Sequence, residues 1–412
     1  MIKNKVFYGW IVVAASLVIT STFIGIRFSF GVFFKSLEAE FELGRAATSS
    51  IFSVYMICYA TAAFVTGWAL DRYGPKLVVL SMGLLTTFSL VITSQITALW
   101  QLYLTYSILL AFGGGGIVPV LMSTISRWFV KKRGFALGIA STGMGLGPLI
   151  MAPVATYMIS NLSWRGSYTV VGIFTFFVVI SLSMLLRKSP SDIGALPDGV
   201  IKEIGDVKKP SEVDGLSVTS ISFKEAVGTK NLWLLLASGF FWASNLNLVM
   251  IHVVPHAIDM GISTMKASTI VSVISGTSIL ARMLVGRISD TVGRRLPAIA
   301  TALLGAGALA WLLWADTPWM FYLFAVACGI AWGGVSVTVW SLVGDIFHGR
   351  NLGVIVGTVE FGFAAGSAIG PAVGGVLFDV TGNYTLAFMI GAATLILLSL
   401  FISRVKTEKG GL

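Results

Sequence analysis

Twelve apolar segments dominate this chain of 412 residues, and each is long enough to cross a lipid bilayer. A helix that spans the hydrocarbon core needs about 20 apolar residues. Hydrophobic residues make up 56% of the chain and charged residues 11%, whereas a soluble domain carries about 25% charged residues. Because lipid offers no hydrogen-bond partners, the backbone of each segment must bond to itself as a helix. The sequence therefore predicts an all-α integral membrane protein with twelve transmembrane helices.

A long polar stretch divides the twelve predicted spans into two sets of six. Residues 187–230 are rich in Pro, Gly, Lys and acidic residues, a composition typical of a linker. We therefore expect an N-terminal half over 1–186 and a C-terminal half over 231–412. The predicted spans cover approximately 8–34, 48–70, 77–96, 99–126, 134–158, 167–186, 231–257, 267–288, 297–314, 319–343, 352–376 and 384–403.

One ten-residue motif occurs in both halves and indicates an internal duplication. GWALDRYGPK begins at Gly67, GRISDTVGRR begins at Gly286, and both fit the pattern G-x3-D-x2-G-x-[K/R] in a short loop between apolar runs. The copies lie 219 residues apart, and two Gly-Pro pairs, at Gly147 and Gly370, lie 223 residues apart. Glycines of this kind allow close packing of membrane helices. A six-helix unit present twice is a common architecture of secondary transporters.

The basic residues lie mostly on one side of the predicted membrane. When alternate loops are assigned to one side from the N-terminus, 22 of the 28 Lys and Arg residues lie on that side and 4 on the other, with Arg27 and Arg282 inside spans. This asymmetry marks the cytoplasmic side. We therefore expect a multi-pass protein of the plasma (cell inner) membrane, with both termini and the linker in the cytoplasm. The net charge of +10 is then a consequence of topology and not of nucleic-acid binding.

The sequence shows no pattern of a catalytic, nucleotide or metal site. A phosphate-binding loop needs G-x4-G-K-[ST] after a strand, and no such match occurs. Cys58 and Cys328 fall inside spans, where we expect them to pack as small apolar residues. Pro255 interrupts the turn between His252 and His256, and no third metal ligand accompanies them. We therefore expect no cofactor, no metal, no ATP-driven step, no enzyme activity and no obligate protein partner.

The duplicated loops of this twelve-span chain resemble those of the major facilitator superfamily, and the resemblance covers essentially the whole chain. Shorter segments resemble monocarboxylate transporters and bacterial oxalate:formate antiporters. They are YGW at 8–10, VFFK at 32–35, RWFVKKRGFALG at 127–138 and WRGS at 164–167. The resemblance implies two six-helix halves that alternately open a central site for a small organic anion to either side of the membrane.

Arg282 is the charged residue that most strongly indicates a binding site. A charge at the centre of a membrane helix costs at least about 2.5–3.5 kcal/mol, and Arg282 lies about five residues from the end of its predicted span. Ser275 and Ser278 share its helix face, and its planar guanidinium matches a carboxylate. The resemblance implies the same role, since monocarboxylate transporters hold the substrate carboxylate with an arginine in this span, although animal members have an aspartate at the position of Ser278. The alternative is an Arg282 side chain that extends to the lipid headgroups.

Glu360, Arg27 and Phe28 also lie inside predicted spans. A low dielectric favours the neutral form of a carboxyl group, so we expect Glu360 to carry a proton, unless it is a neutral group bonded within the bundle. The resemblance agrees, because monocarboxylate transporters have a glutamate here and oxalate:formate antiporters a lysine. Phe28 aligns with the substrate-linked lysine of animal monocarboxylate transporters. Arg27 beside it either replaces that lysine or reaches the outer interface.

Span seven carries a polar face formed by Ser238, Asn245 and His252 at seven-residue spacing. We expect Asn245 and His252 to contact the substrate. His252 is also a candidate for proton coupling, because imidazole titrates near neutrality. The alternative is a histidine that bonds to a neighbouring helix.

The repeated loops are expected to act in conformational change and not in binding. In the superfamily that they resemble, such loops form ion pairs between the halves on the cytoplasmic side, and the pairs break when that side opens. A solvated basic loop is the alternative, but it leaves the repeated Gly and Asp unexplained. The residues concerned are Gly67, Asp71, Arg72, Gly74, Lys76, Gly286, Asp290, Gly293 and Arg294.

These features together predict a secondary transporter of small organic monocarboxylate anions similar to lactate or pyruvate. Proton-coupled symport by alternating access is the expected mechanism, with protons, the anion and the lipid bilayer as partners. An exchanger of oxalate, formate or a dicarboxylate is the main alternative. A drug exporter is a second alternative. Such exporters often carry a G-x3-G-P-x2-G-G run in span five, whereas in this chain the full run lies in span eleven.

Overall fold

The computed structural model describes residues 7–130, 132–194, 196, 198, 223–347 and 352–406. Every regular element within these residues is a helix. Ten of the helices are long and apolar enough to cross a membrane. Two of the ten are interrupted by one residue with non-helical dihedrals, Gly74 (φ 78°, ψ 169°) and Ser163 (φ 62°, ψ 170°), and each of these two therefore provides two spans. The described residues thus contain the twelve spans that the sequence predicts.

We number the spans α1 to α12 in chain order. They are α1 (Tyr8–Glu40), α2 (45–73), α3 (75–93), α4 (Leu99–Trp128), α5 (133–162), α6 (164–183), α7 (Lys230–Asp259), α8 (Thr264–Val292), α9 (Arg295–Leu312), α10 (Pro318–Ile346), α11 (Leu352–Thr381) and α12 (Thr385–Arg404). A short helix, Phe223–Gly228, precedes α7. Most of the predicted linker lies outside the described residues, so the division into two halves and a linker stays a prediction.

The odd-numbered spans begin at one face of the bundle, and this face carries both repeated loops. We call it the basic face and call the other the opposite face.

The two Gly-Pro repeats pack equivalent pairs of helices. A Cβ added at Gly147 would lie 2.3 Å from the Ser21 carbonyl oxygen, so α5 contacts the α1 backbone directly. A Cβ added at Gly370 would lie 2.1 Å from the Ser244 carbonyl oxygen, so α11 contacts α7 in the same way. No side chain fits at either contact, which confirms the packing role predicted for these glycines.

The opposite face joins the two halves through an ion-pair network around the buried Arg45. Asp259 of α7 pairs with Arg45 of α2 and, at 2.8 Å, with Lys35 of α1. Asp379 of α11 accepts hydrogen bonds from the backbone N–H groups of Arg45 and Ala46, both at 2.8 Å. The Arg45 side chain is 3% exposed, and its guanidinium lies 3.7 Å from the centre of the Phe378 ring. Four spans are thus fastened together at this face.

The ion pairs of the basic face, in contrast, stay within one half. Asp71 accepts from Arg127 at 3.2 Å within the N-terminal half. Arg294 pairs with Asp290 and Asp345, all in the C-terminal half. The ion pairs described at this face thus lie within one half, whereas those of the opposite face join the two halves.

Candidate functional site

Arg27 lies where α1 meets α7 in the middle of the bundle. A Cβ added at Gly31, one turn further along α1, would lie 2.4 Å from the Met250 carbonyl oxygen, so the two backbones touch. This contact brings Arg27 to Asn247, whose Oδ1 accepts a hydrogen bond of 3.4 Å from Arg27 Nη2. The guanidinium also lies 5.2 Å from the centre of the Tyr59 ring on α2. Arg27 is 6% exposed, so its charge belongs to the interior and not to the outer interface.

The polar chain that begins at Arg27 runs through Asn247 to Ser367 on α11, the helix that also carries Glu360. Asn247 Nδ2 donates a hydrogen bond of 3.0 Å to Ser367 Oγ. Glu360 precedes Ser367 by seven residues, so both lie on one face of α11 about two turns apart. Glu360 is exposed although its neighbour Val359 is fully buried, and the positive charge of Arg27 acts on its carboxyl group. Glu360 therefore lines the space between the halves and does not point into lipid.

Arg282 occupies the inward face of α8. It shares this face with Ser275 and Ser278, which are 2% and 6% exposed. Leu280 and Leu284, on the other side of the helix, are 61% and 64% exposed and face lipid. Because α8 continues to Val292, Arg282 lies about 15 Å from the helix end, not the five residues expected from the sequence. That distance weakens the interpretation that Arg282 extends to the headgroups.

Arg282 has no acidic or carbonyl partner among the described residues. Its Nε is buried and finds no protein acceptor, and the same holds for Nε1 of Trp332 on α10. The two side chains belong to packed helices, since a Cβ added at Gly333, next to Trp332, would lie 3.1 Å from Arg282 N. A buried donor without an acceptor costs about 1–3 kcal/mol. An anionic ligand with acceptor oxygens would relieve this cost at Arg282.

His252 forms hydrogen bonds to neighbouring helices and is not part of the hydrogen-bonded chain that begins at Arg27. Its ring is fully buried, and Nε2 lies 2.9 Å from the Pro371 carbonyl oxygen while Nδ1 lies 2.9 Å from Tyr384 Oη. A carbonyl oxygen only accepts, so Nε2 carries the proton and Nδ1 accepts from the tyrosine. Ser49 Oγ approaches Nε2 at 3.3 Å. This arrangement corresponds to the alternative of a histidine bonded to neighbouring helices.

Two further predicted binding residues, Asn245 and Phe28, lie in different surroundings. Asn245 Nδ2 donates to the Gly391 carbonyl oxygen of α12 at 3.1 Å and so contributes to packing within the C-terminal half. Phe28 is 8% exposed in the hydrophobic core, and the centre of its ring lies 5.0 Å from the Arg27 guanidinium, so it borders the interior site. The structure instead brings Asn247 to Arg27 and Ser367 to Asn247. Asn247 could have been noticed in the sequence as an amide inside a predicted span. It was not part of the predicted polar face, because it lies two residues from Asn245 and hence on nearly the opposite side of the helix.

The repeated loops have matching backbone conformations in the two halves. Gly74 (φ 78°) and Gly293 (φ 84°) are both in the left-handed region, which explains why glycine occurs in each copy. Asp71 and Asp290 each take part in an ion pair within their own half. Arg72 lies 5.7 Å from the centre of the Trp68 ring. The other loop residues, Gly67, Lys76 and Gly286, form no ion pair among the described residues.

No group of three or more His, Cys, Asp or Glu side chains is placed to hold a metal ion within the described residues. The two cysteines are free thiols. The interior site therefore consists of two arginines, one glutamate and neutral polar groups. Its formal charge is positive when all three ionisable groups carry their charges, which suits an anion.

Comparisons with known proteins agree with this architecture. The profile of the Major Facilitator Superfamily matches residues 11–358. Monocarboxylate transporter 13 from Bos taurus is 26% identical over 94% of this chain and 87% of its own length. Monocarboxylate transporter 11 from Homo sapiens is 29% identical over 96% of this chain and 82% of its own length.

Among solved structures, the fold is similar to that of a bacterial homologue of the human lysosomal transporter Spinster in an inward-facing, unoccupied conformation. The TM-score is 0.72 at 17% identity, and the match covers 98% of this chain and 96% of that one. The fold and the profile match over most of the chain together establish the family: this chain belongs to the Major Facilitator Superfamily.

Proposed function

We propose that this protein is a secondary carrier of small organic monocarboxylate anions, of the size of lactate or pyruvate, and that it couples their movement to protons. The observation that carries the proposal is Arg282, an interior guanidinium without an acidic or hydrogen-bonding protein partner among the described residues. A carboxylate accepts two parallel hydrogen bonds from a guanidinium. The names of the similar transporters point to the same class of substrate.

Trp332 and the serine face of α8 would complete the carboxylate site. Trp332 Nε1 is a donor without a protein acceptor, and Ser275 Oγ likewise lacks a partner. Trp332 lies on the helix that packs against α8 near Arg282, and Ser275 lies two turns before Arg282 on the same helix face, so a ligand along this face would meet donors besides the guanidinium.

Glu360 supplies the proton coupling in this proposal. With Glu360 ionised, Arg27, Arg282 and Glu360 leave one net positive charge in the interior. When Glu360 takes up a proton and a monocarboxylate binds Arg282, the total is unchanged. Loaded and empty carriers then have the same charge, and the anion and proton cross together without net charge movement.

The basic face is assigned to the cytoplasm, on the positive-inside asymmetry of the loops. The opposite face, where ion pairs join the two halves, then faces outward, and in this proposal the halves are held together there as in the inward-open state of an alternating-access cycle. Outward opening would separate Asp259 from Lys35 and Arg45 and bring the repeated loops of the two halves together.

Uptake of labelled lactate or pyruvate into proteoliposomes tests the proposal. The account predicts that an acidic exterior raises the initial rate and drives accumulation, and that a proton conductor abolishes the accumulation. Lactamide, which is neutral, should not compete. Absence of monocarboxylate uptake under all gradients, with a protein that remains monodisperse, would overturn the proposal.

A second candidate is an exchanger of a dianion such as oxalate. It is favoured by the presence of a second interior arginine, since Arg27, although hydrogen-bonded to Asn247, forms no ion pair with a carboxylate within the described residues. Counterflow of labelled oxalate that is independent of pH and exceeds that of lactate would support this candidate over the first.

A further inference from the structure

A groove of about 780 Å³ lies at the basic face between the beginning of α7 and the end of α12. The part nearer the bilayer centre is apolar and is formed by Leu234, Ala237 and Phe401. Leu397 and Leu400, beside Phe401, are 40% and 48% exposed, so this side of α12 faces lipid. The groove is therefore open to the bilayer.

Three cations line the mouth of the groove. They are Lys230, Arg404 and Lys406, and no acidic residue is among the lining residues. None of the three side chains forms an ion pair or a hydrogen bond within the described part of the chain. Their charges are therefore available to a ligand from outside the protein.

The arrangement of these cations is fixed by the backbone. Asn231 Nδ2 donates to the Lys406 carbonyl oxygen at 2.8 Å, and Lys406 N donates to Asn231 Oδ1 at 3.0 Å. This reciprocal pair fastens the chain after α12 to the first turn of α7. The N-terminus of α7, capped by Thr229, adds the positive end of a 30-residue helix. A phosphate at the mouth would meet both the cations and this helix end.

Trp233 marks the level of the membrane interface at the same groove. Its ring is 55% exposed, and its Nε1 donates to the Val227 carbonyl oxygen at 2.9 Å. A tryptophan with a fixed polar edge and an exposed ring is typical of the headgroup region. The cations thus lie at the depth where lipid phosphates are found.

We propose that this groove binds an anionic phospholipid. The phosphate contacts the cluster of Lys230, Arg404 and Lys406, and an acyl chain lies along Ala237 and Phe401. Basic pockets between helices at this face of a membrane attract anionic headgroups. The proposal does not depend on the substrate of the carrier, because it uses none of the interior site residues.

Native mass spectrometry of the full chain in detergent tests the proposal, with dioleoyl phosphatidylglycerol, dioleoyl phosphatidylcholine and glycerol 3-phosphate as probes. We expect phosphatidylglycerol to bind at least about tenfold more tightly than phosphatidylcholine. The variant K230Q/R404Q/K406Q should lose that preference. Ala237→Trp keeps the cations but fills the apolar part, and should weaken phosphatidylglycerol binding as well.

A charge-matched control separates a site from general attraction to the basic face. The variant K132Q/R133Q/R187Q removes the same charge from exposed positions of the other half and should bind phosphatidylglycerol normally. Equal loss in both triple variants, or equal binding of the two lipids, would overturn the proposal. Displacement of phosphatidylglycerol by an equal concentration of glycerol 3-phosphate would also do so, since it would indicate a soluble-anion site.

Discussion

The two interior arginines differ in how far the protein itself satisfies them. Arg27 contacts Asn247 and the Tyr59 ring, and its charge acts on Glu360. Arg282 shares its helix face with two serines and has no partner for its guanidinium among the described residues. The difference separates two roles that one kind of side chain can have in a membrane. A partnered arginine belongs to the protein's own charge balance, whereas an unpartnered one is available to an anion.

The largest effect is expected for Arg282→Lys, which keeps the charge and removes the planar fork. Loss of a hydrogen bond to a charged group costs about 1.5–3 kcal/mol, so uptake at low lactate concentration should fall roughly 10- to 150-fold. Initial rates in proteoliposomes measure this. Arg287→Lys, at an exposed position of the same helix, is the matched control and should transport normally. Equal rates for the two variants would remove the distinction between the arginines.

Glu360→Gln tests whether Glu360, which lies under the positive charge of Arg27, carries the proton. Glutamine cannot take up a proton, so we expect lactate exchange at equal pH to continue while the stimulation by an inward proton gradient disappears. Counterflow and gradient-driven uptake, measured on the same liposomes, separate these two activities. Asp316→Asn removes an exposed carboxyl group of the opposite face and should leave both unchanged. Gradient-driven accumulation in Glu360→Gln would place the proton on another group.

His252→Gln is expected to affect stability and not coupling. The ring bonds Pro371 and Tyr384 in the folded protein, and an unsatisfied buried partner costs about 1–3 kcal/mol. A lower unfolding temperature with an unchanged response of uptake to pH is the predicted combination. The reverse result, normal stability with a lost pH response, would make His252 a proton carrier.

The smallest effect is expected for the pair Asn247→Ala and Asn245→Ala, which compares two faces of α7. Asn247 contacts Arg27 through a single long hydrogen bond of 3.4 Å. Its loss should weaken transport by up to about fivefold, which corresponds to about 1 kcal/mol. Asn245→Ala should reduce stability by a similar free energy and leave lactate affinity unchanged. If Asn245→Ala has the larger effect on affinity, the site lies on the face predicted from the sequence.

The sequence was sufficient to predict the fold. The twelve apolar segments and the duplicated G-x3-D-x2-G-x-[K/R] loops each have a direct physical consequence, namely a spanning helix and a repeated left-handed glycine at Gly74 and Gly293. The inward direction of Arg282 also followed from its spacing to Ser278. These features depend on segment length, on a repeated motif and on helical periodicity, all of which a single sequence contains.

The composition of the interior site was less accessible from the sequence. Asn245 and His252 share one face of α7 and Asn247 lies on nearly the opposite one, but periodicity does not state which face meets α1. That choice is made by Gly31, whose contact with Met250 sets the orientation of α7. The closure at Arg45 and Asp259 likewise depends on residues 214 positions apart in the sequence. Contacts between distant spans of this kind are set by tertiary packing.

The central claim, that Arg282 holds the substrate carboxylate, is tested most directly by calorimetric titration of lactate and lactamide into the purified protein and its Arg282→Lys variant. The two ligands differ only in the carboxylate, so the ratio of their affinities isolates its contribution. The account predicts that lactate binds at least about tenfold more tightly than lactamide to the parent protein and that this preference is largely lost in the variant. A preference for lactate that is equally strong in both proteins would contradict it.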